Sequence, residues 1–77
     1  MASSLQTLVA QILDIAADKV TDDLGPATFG RWDSLKHIQL VAAVEQAYGI
    51  RLSPREMRSF STFAELSDIV ASKGVTT

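Results

Sequence analysis

Between Leu35 and Tyr48 apolar residues recur at helical spacing without a break, and Gly49 follows at once. Leu35, Ile38, Val41, Ala42 and Tyr48 share one stripe with Glu45, while Leu40 and Val44 form a second stripe beside it. A helix apolar over that much of its circumference has to touch more than one neighbour. It is expected at the centre of whatever the chain builds. Gly49 suits the left-handed residue that ends such a helix. Any fold for this sequence must therefore wrap its other elements around a helix over about residues 34–48.

The remaining elements follow from local signals. Ser3-Ser4-Leu5-Gln6 has the form of a capping box, and Leu5, Leu8, Val9, Ile12 and Ala16, widened by Leu13 and Ile15, predict helix I over about 4–17. From 18 to 33 no period holds, and Gly25-Pro26 and Gly30 punctuate a long loop. Val20, Leu24, Phe29 and Trp32 give that loop apolar pegs, so it is expected to dock on the helices rather than hang free. After an extended link at Ile50-Arg51-Leu52, Ser53-Pro54-Arg55-Glu56 supplies an N-cap serine, a proline at the first helical position and a glutamate at the third. A short helix III is predicted over about 54–58, with Met57 and Phe60 as core contacts. Thr62-Phe63-Ala64-Glu65 reads as another capping box, opening helix IV over about 63–72, which Lys73-Gly74 closes. Residues from Val75 onward are expected to fray. No convincing strand alternation and no repeat occur. The expectation is a single all-α domain over 1–77, a small four-helix bundle of three longer helices and one short one, with a long loop between helices I and II.

Composition narrows the chemistry. The 77 residues include no cysteine, which removes disulfides, thiolate nucleophiles and zinc–thiolate sites, and a single histidine removes multi-histidine metal motifs. The carboxylates lack the spacing of a calcium loop, and there is no glycine-rich phosphate loop. No apolar run reaches the roughly 20 residues of a membrane span, and the N-terminal residues lack the basic start of a signal peptide. A cytoplasmic protein with no membrane contact is expected, free-standing in view of the initial methionine and short tail, and monomeric. The net charge of −2 is unevenly spread: residues 1–30 carry −3, residues 31–58 carry +2 and the remainder −1. Arg51, Arg55 and Arg58 raise nucleic-acid binding, but a pI near 5.1 and a helix II too apolar to read a groove argue against it.

Asp33-Ser34 is the junction where chemistry could reside, and two readings are open. Asp33 can be the N-cap of helix II with Ser34 its first residue, since both types favour that position. Alternatively, the same geometry presents the Ser34 hydroxyl for modification, because a phosphate there would face unpaired backbone N–H groups and the positive end of the helix dipole. A serine hydrolase is a poor fit: Ser34 and His37 lie three apart on one helix, without a glycine elbow or an orienting carboxylate. His37 is expected on the helix surface bordering the serine. Trp32, just ahead of the helix, is expected to plug the core or to staple the helix start.

At Trp32-Asp33-Ser34-Leu35 the sequence resembles the phosphopantetheine attachment site of acyl and peptidyl carrier proteins. The likeness extends through Ile38, Leu40-Val41, Glu45, Tyr48-Gly49-Ile50 and Leu52, and resumes at Thr62-Phe63 and Leu66, Ile69 and Val70, so that it spans about residues 4–72. It implies that Ser34 receives 4′-phosphopantetheine from coenzyme A by way of a phosphopantetheinyl transferase, with Asp33 helping to position the metal in that transfer. The chain itself would catalyse nothing. It would hold acyl groups as thioesters for a loading enzyme, a ketosynthase, an acyltransferase or other pathway enzymes. Carriers of fatty acid synthesis usually line helices II and III with acidic residues that meet basic enzyme patches. Here Lys36, Gln39 and Gln46 lie on the outward side of helix II, and Arg55 and Arg58 on helix III. Trp32 also replaces a residue that is small or aliphatic in those carriers. These departures imply a dedicated secondary-metabolic or polyketide-like carrier, with Trp32, Leu35, Lys36, Gln39, Ala42, Arg55 and Arg58 facing partners. The alternatives are an aminoacyl or peptidyl carrier and an unmodified helical adaptor. Leu40, Val44, Leu52, Met57, Phe60 and Ile69 either border a small apolar cavity or are simply the core.

Overall fold

Ser3 opens the first helix with a reciprocal pair of bonds: its hydroxyl accepts the Gln6 N–H, and the Gln6 side chain accepts the Ser3 N–H. In the computed structural model, which describes residues 3–76, this helix, α1, spans Ser4–Leu13. It stops at Leu13 rather than near residue 17. Asp14 turns into the left-handed region (φ 58°), which aspartate tolerates better than most residues. From there the Asp14 N–H reaches the Gln11 carbonyl (3.4 Å) and the Ile15 N–H the Ala10 carbonyl (3.0 Å), closing a Schellman cap. A 3₁₀ turn, Ala17–Lys19, follows.

Three further helices complete the chain: α2, Ser34–Tyr48; α3, Pro54–Ser59; and α4, Phe63–Ser72. No strand occurs among the described residues, so the bundle is all-α, as its periodicity predicts. The cap at the end of α1 recurs at Gly49 (φ 64°), where Ile50 N–H reaches the Glu45 carbonyl, and at Gly74 (φ 83°), where Val75 N–H reaches the Val70 carbonyl. In each case the residue beyond the left-handed position, Ile15, Ile50 or Val75, packs half-buried against the core. That apolar contact is the usual companion of this cap. Val75 is therefore held rather than frayed, while Thr77 lies outside the described residues.

The N-terminal caps of α3 and α4 differ in a way the sequence does not reveal. Ser53 and Glu56 form the full box at α3. At α4 Thr62 accepts the Glu65 N–H, but Glu65 Oε1 turns to the N–H and hydroxyl of Ser61 (3.0 Å each) instead of the Thr62 N–H. Two donors on one residue outcompete the single one expected to complete the box.

Leu5, Val9 and Leu13 of α1, Leu40, Val41 and Val44 of α2, and Phe63, Leu66 and Val70 of α4 form the buried centre. The long loop contributes Val20, Leu24 and Trp32, with Phe29 half-buried, so its apolar pegs dock it as predicted. Its far end is also tied down by backbone bonds. Phe63 N–H donates to the Leu24 carbonyl (2.8 Å) and Ala64 N–H to the Asp22 carbonyl (3.0 Å), satisfying two first-turn donors of α4 that a helix cannot satisfy itself. The two-stripe expectation for α2 holds only in part. Leu40, Val41 and Val44 are buried, whereas Leu35 and Ile38 stand 62% and 66% exposed. α3 is only six residues long and buries none of them fully, too little to cover that end of α2.

Candidate functional site

Asp33 sets the geometry of the junction. In an extended conformation it places Oδ1 2.9 Å from the Lys36 N–H and caps α2. Ser34 thereby becomes the first residue of a 15-residue helix, with its side chain exposed. Among the described residues the N–H groups of Ser34 and Leu35 meet no protein acceptor. A free hydroxyl therefore lies at the positive end of the helix dipole, beside free donors. Next to it is an open depression of about 500 Å³ lined by Pro26, Trp32, Asp33, Ser34, His37 and Ile38.

Behind Ser34 the chain is fixed by a buried joint. Trp32 is 1% exposed, and its Nε1–H donates to His37 Nδ1 (3.1 Å). With Nδ1 accepting, the imidazole hydrogen lies on Nε2, which donates to the Met57 carbonyl (2.7 Å). The ring also stacks on Phe60, with centroids 4.4 Å apart and planes 22° from parallel. His37 thus ties the loop before Ser34 to α3 and its exit. It is not the surface residue expected from sequence, although it does border the serine through the shared depression. Because both ring nitrogens are engaged elsewhere, His37 is not placed to take the Ser34 proton, and the hydrolase reading loses its base.

The partner-facing residues expected from sequence divide in two. Leu35, Gln39, Ala42, Arg55 and Arg58 are exposed and Lys36 is half-exposed. Trp32 is corrected: a side chain this buried acts through packing and cannot be a surface contact. A second groove, about 350 Å³, runs between α2 and α3, lined by His37, Ile38, Val41, Ala42, Glu45, Met57 and Arg58. Of the six residues considered for an apolar cavity, only Met57 reaches it. Leu40, Val44, Leu52 and Phe60 are core, and Ile69 packs against the core. Sequence reasoning passed over Ile38 and Pro26 as site residues. Ile38 follows Ser34 by four residues, so helical spacing already put it on the serine's face. Pro26 reaches the site through the fold of the loop and left no local signal.

Among the described residues no three His, Cys, Asp or Glu side chains are placed to hold a metal ion. No helix among them is long and apolar enough to cross a membrane. Residues 3–70 match the family described as the phosphopantetheine attachment site. The chain is also 32% identical over 69 residues to the polyketide-8 synthase acyl carrier protein 2 of Streptomyces avermitilis, a match covering 90% of this chain and 79% of that protein.

Proposed function

Since the chain belongs to the phosphopantetheine-attachment family of acyl carrier proteins, we propose that Ser34 is its attachment residue and that the cargo is an acyl intermediate of a polyketide-type pathway. The family holds cargo for other enzymes and is not itself catalytic. The observation that carries the assignment is the exposed Ser34 hydroxyl at the start of α2 beside two unpartnered backbone N–H groups. A phosphodiester there would be held by those donors and by the helix dipole, and the open depression leaves room for what it carries. The residues present therefore fit the group.

When bound, 4′-phosphopantetheine supplies a terminal thiol that carries acyl groups as thioesters, which a chain without cysteine cannot otherwise offer. The chain's own contributions are positional. Ser34 Oγ gives up its proton and provides the oxygen of the phosphodiester. Asp33 uses Oδ1 to cap α2, while Oδ2 has no protein partner among the described residues and is free to meet the metal of a phosphopantetheinyl transferase. Trp32 and His37 fix the backbone on either side of Ser34, so that a transferase meets a preformed helix end. Leu35, Lys36, Gln39 and Ala42 on α2, with Arg55 and Arg58 on α3, form the surface on which transferase, loading enzyme, ketosynthase and acyltransferase would dock. A cytoplasmic monomer is the setting that fits a carrier shared among such enzymes.

The test is intact mass after co-expression with a broad-specificity phosphopantetheinyl transferase. One added phosphopantetheine is expected in the wild type and none in Ser34→Ala. A wild-type chain that stays unmodified while a control carrier is converted would sink the assignment.

A further inference from the structure

Around Ser34 the exposed surface is both apolar and basic. Among the described residues Leu35 and Ile38 are the large apolar side chains left most open to solvent, and they lie one helical turn apart. Ile38 lines both the Ser34 depression and the α2–α3 groove and so sits where the two meet, with Leu35 beside Ser34 in sequence. The segment that holds this face has a positive balance. Residues 31–58 contain Arg31, Lys36, Arg51, Arg55 and Arg58 against Asp33, Glu45 and Glu56. Each carboxylate accepts a backbone N–H, but among the described residues only Glu56 meets a cation. Asp33 caps α2, Glu45 Oε2 accepts the Leu52 N–H (2.8 Å), and Glu56 accepts the Ser53 N–H and pairs with Lys73 from beyond the segment (2.7 Å). Among the described residues that pair is the sole ion pair, so none of the segment's five cations has a carboxylate partner; Arg31, Arg51, Arg55 and Arg58 are exposed and Lys36 is half-exposed. Arg58 lines the groove with Ile38, and Arg55 precedes it by one turn of α3.

We propose that this face docks enzymes that present an apolar socket rimmed by aspartate and glutamate, and that it discriminates against the basic docking surfaces that suit acidic carriers. The proposal rests on the reading of Ser34 as the attachment site and goes further by fixing the sign of the partner's charge. Leu35 and Ile38 supply short-range contact, since their apolar area is hydrated until a partner covers it. The unpaired cations supply long-range steering, which speeds encounter with an oppositely charged surface by about 10- to 1,000-fold at low salt and fades as ions screen it. Against a basic surface the same cations repel, and the apolar pair alone must hold the complex.

The experiment uses the full chain before modification, so that no prosthetic arm contributes to binding. Its partner is one acyltransferase with lysine and arginine around its carrier-docking surface, compared with the same enzyme carrying glutamate at those positions. Dissociation constants are measured at about 0.05 M and 0.5 M salt, concentrations that straddle the range over which surface charges become screened. The glutamate form is expected to bind about tenfold tighter at low salt, with the advantage shrinking at high salt. In R55E/R58E the preference should reverse, and in R55Q/R58Q it should shrink several-fold. The glutamine pair keeps the test decisive if the reversed pair folds poorly. Equal or tighter binding to the basic enzyme, or a preference unchanged in R55Q/R58Q, would overturn the proposal. Failure of the carrier reading shows separately, as a Ser34 that the transferase leaves unmodified.

Discussion

His37 joins three parts of the molecule through one ring: the loop before Ser34 by Trp32 Nε1–H, α3 by the Met57 carbonyl, and the α3–α4 link by the face of Phe60. Its replacement by alanine removes both hydrogen bonds, leaves a buried indole N–H without an acceptor and opens space beside Phe60. An orphaned buried donor alone costs about 1–3 kcal/mol. His37→Ala is therefore expected to lose about 2–4 kcal/mol in chemical denaturation, a large share of the stability of a domain this small. The single tryptophan reports the same event, and its emission should shift to the red as Trp32 meets water. A loss under about 0.5 kcal/mol, the range of an ordinary surface substitution, would mean that His37 is not the joint. Ser34→Ala is the matched control: its hydroxyl is exposed and unbonded among the described residues, so stability should hardly move.

At the scale of elements, the helix starts are governed by side chains and the helix ends by backbone. The two glutamates at the starts of α3 and α4 carry a pH dependence. Lys73 beside Glu56, helped by the Ser53 N–H, holds that carboxyl below its ordinary value of 4.5. The Ser61 N–H and hydroxyl do the same for Glu65. A carboxyl lowered on folding stabilises the native state above its unfolded value and loses that contribution as pH falls through its folded value. Their contribution to stability should therefore be level above about pH 5 and decline as pH drops below 4.5, and E56Q/E65Q should flatten the decline. An acid limb of equal steepness in wild type and variant would remove these two groups as its cause. The same contrast explains what could be read from the sequence. Ser3, Asp33, Ser53 and Thr62 announce helix starts because the capping atom belongs to the residue type itself. The end of α1 was misplaced because Asp14 supplies a left-handed turn that glycine would have advertised and aspartate does not. The junction marked Ser34 as the start of α2, but its setting was not legible. Whether Leu35 and Ile38 face core or solvent depends on the length of α3, and the contact of His37 with Met57 spans twenty residues of chain.

For the molecule as a whole, the loop that leads to Ser34 is pinned to the start of α4 well before it reaches the serine. The loop leaves α1 at Asp14, docks against the start of α4 near Gly25 and returns through Trp32 to α2. At Gly25 the approach is so close that a Cβ would lie 1.9 Å from the Ser61 carbonyl oxygen. Glycine is needed there for space and not for a left-handed turn, since Gly49 and Gly74 are the glycines with positive φ. The neighbouring carbonyls of Asp22 and Leu24 accept the Ala64 and Phe63 N–H groups, so displacing Gly25 strains both bonds together. Backbone atoms cannot swing aside as the tip of a long side chain can, and overpacking of this kind costs about 1–3 kcal/mol. Gly25→Ala is expected to lower stability by about that amount and to raise amide exchange at Phe63 and Ala64 more than at Val41 or Val44, which lie in the middle of α2. The released loop still ends at the buried Trp32, which keeps its bond to His37 and so holds Asp33 and Ser34 at the helix start. On the proposed assignment of Ser34, its modification should therefore persist in Gly25→Ala at a rate close to wild type, whereas His37→Ala should slow it. A large drop in modification in Gly25→Ala, with exchange at Phe63 raised, would show that the loop steers the serine directly and that the Trp32–His37 joint does not insulate it.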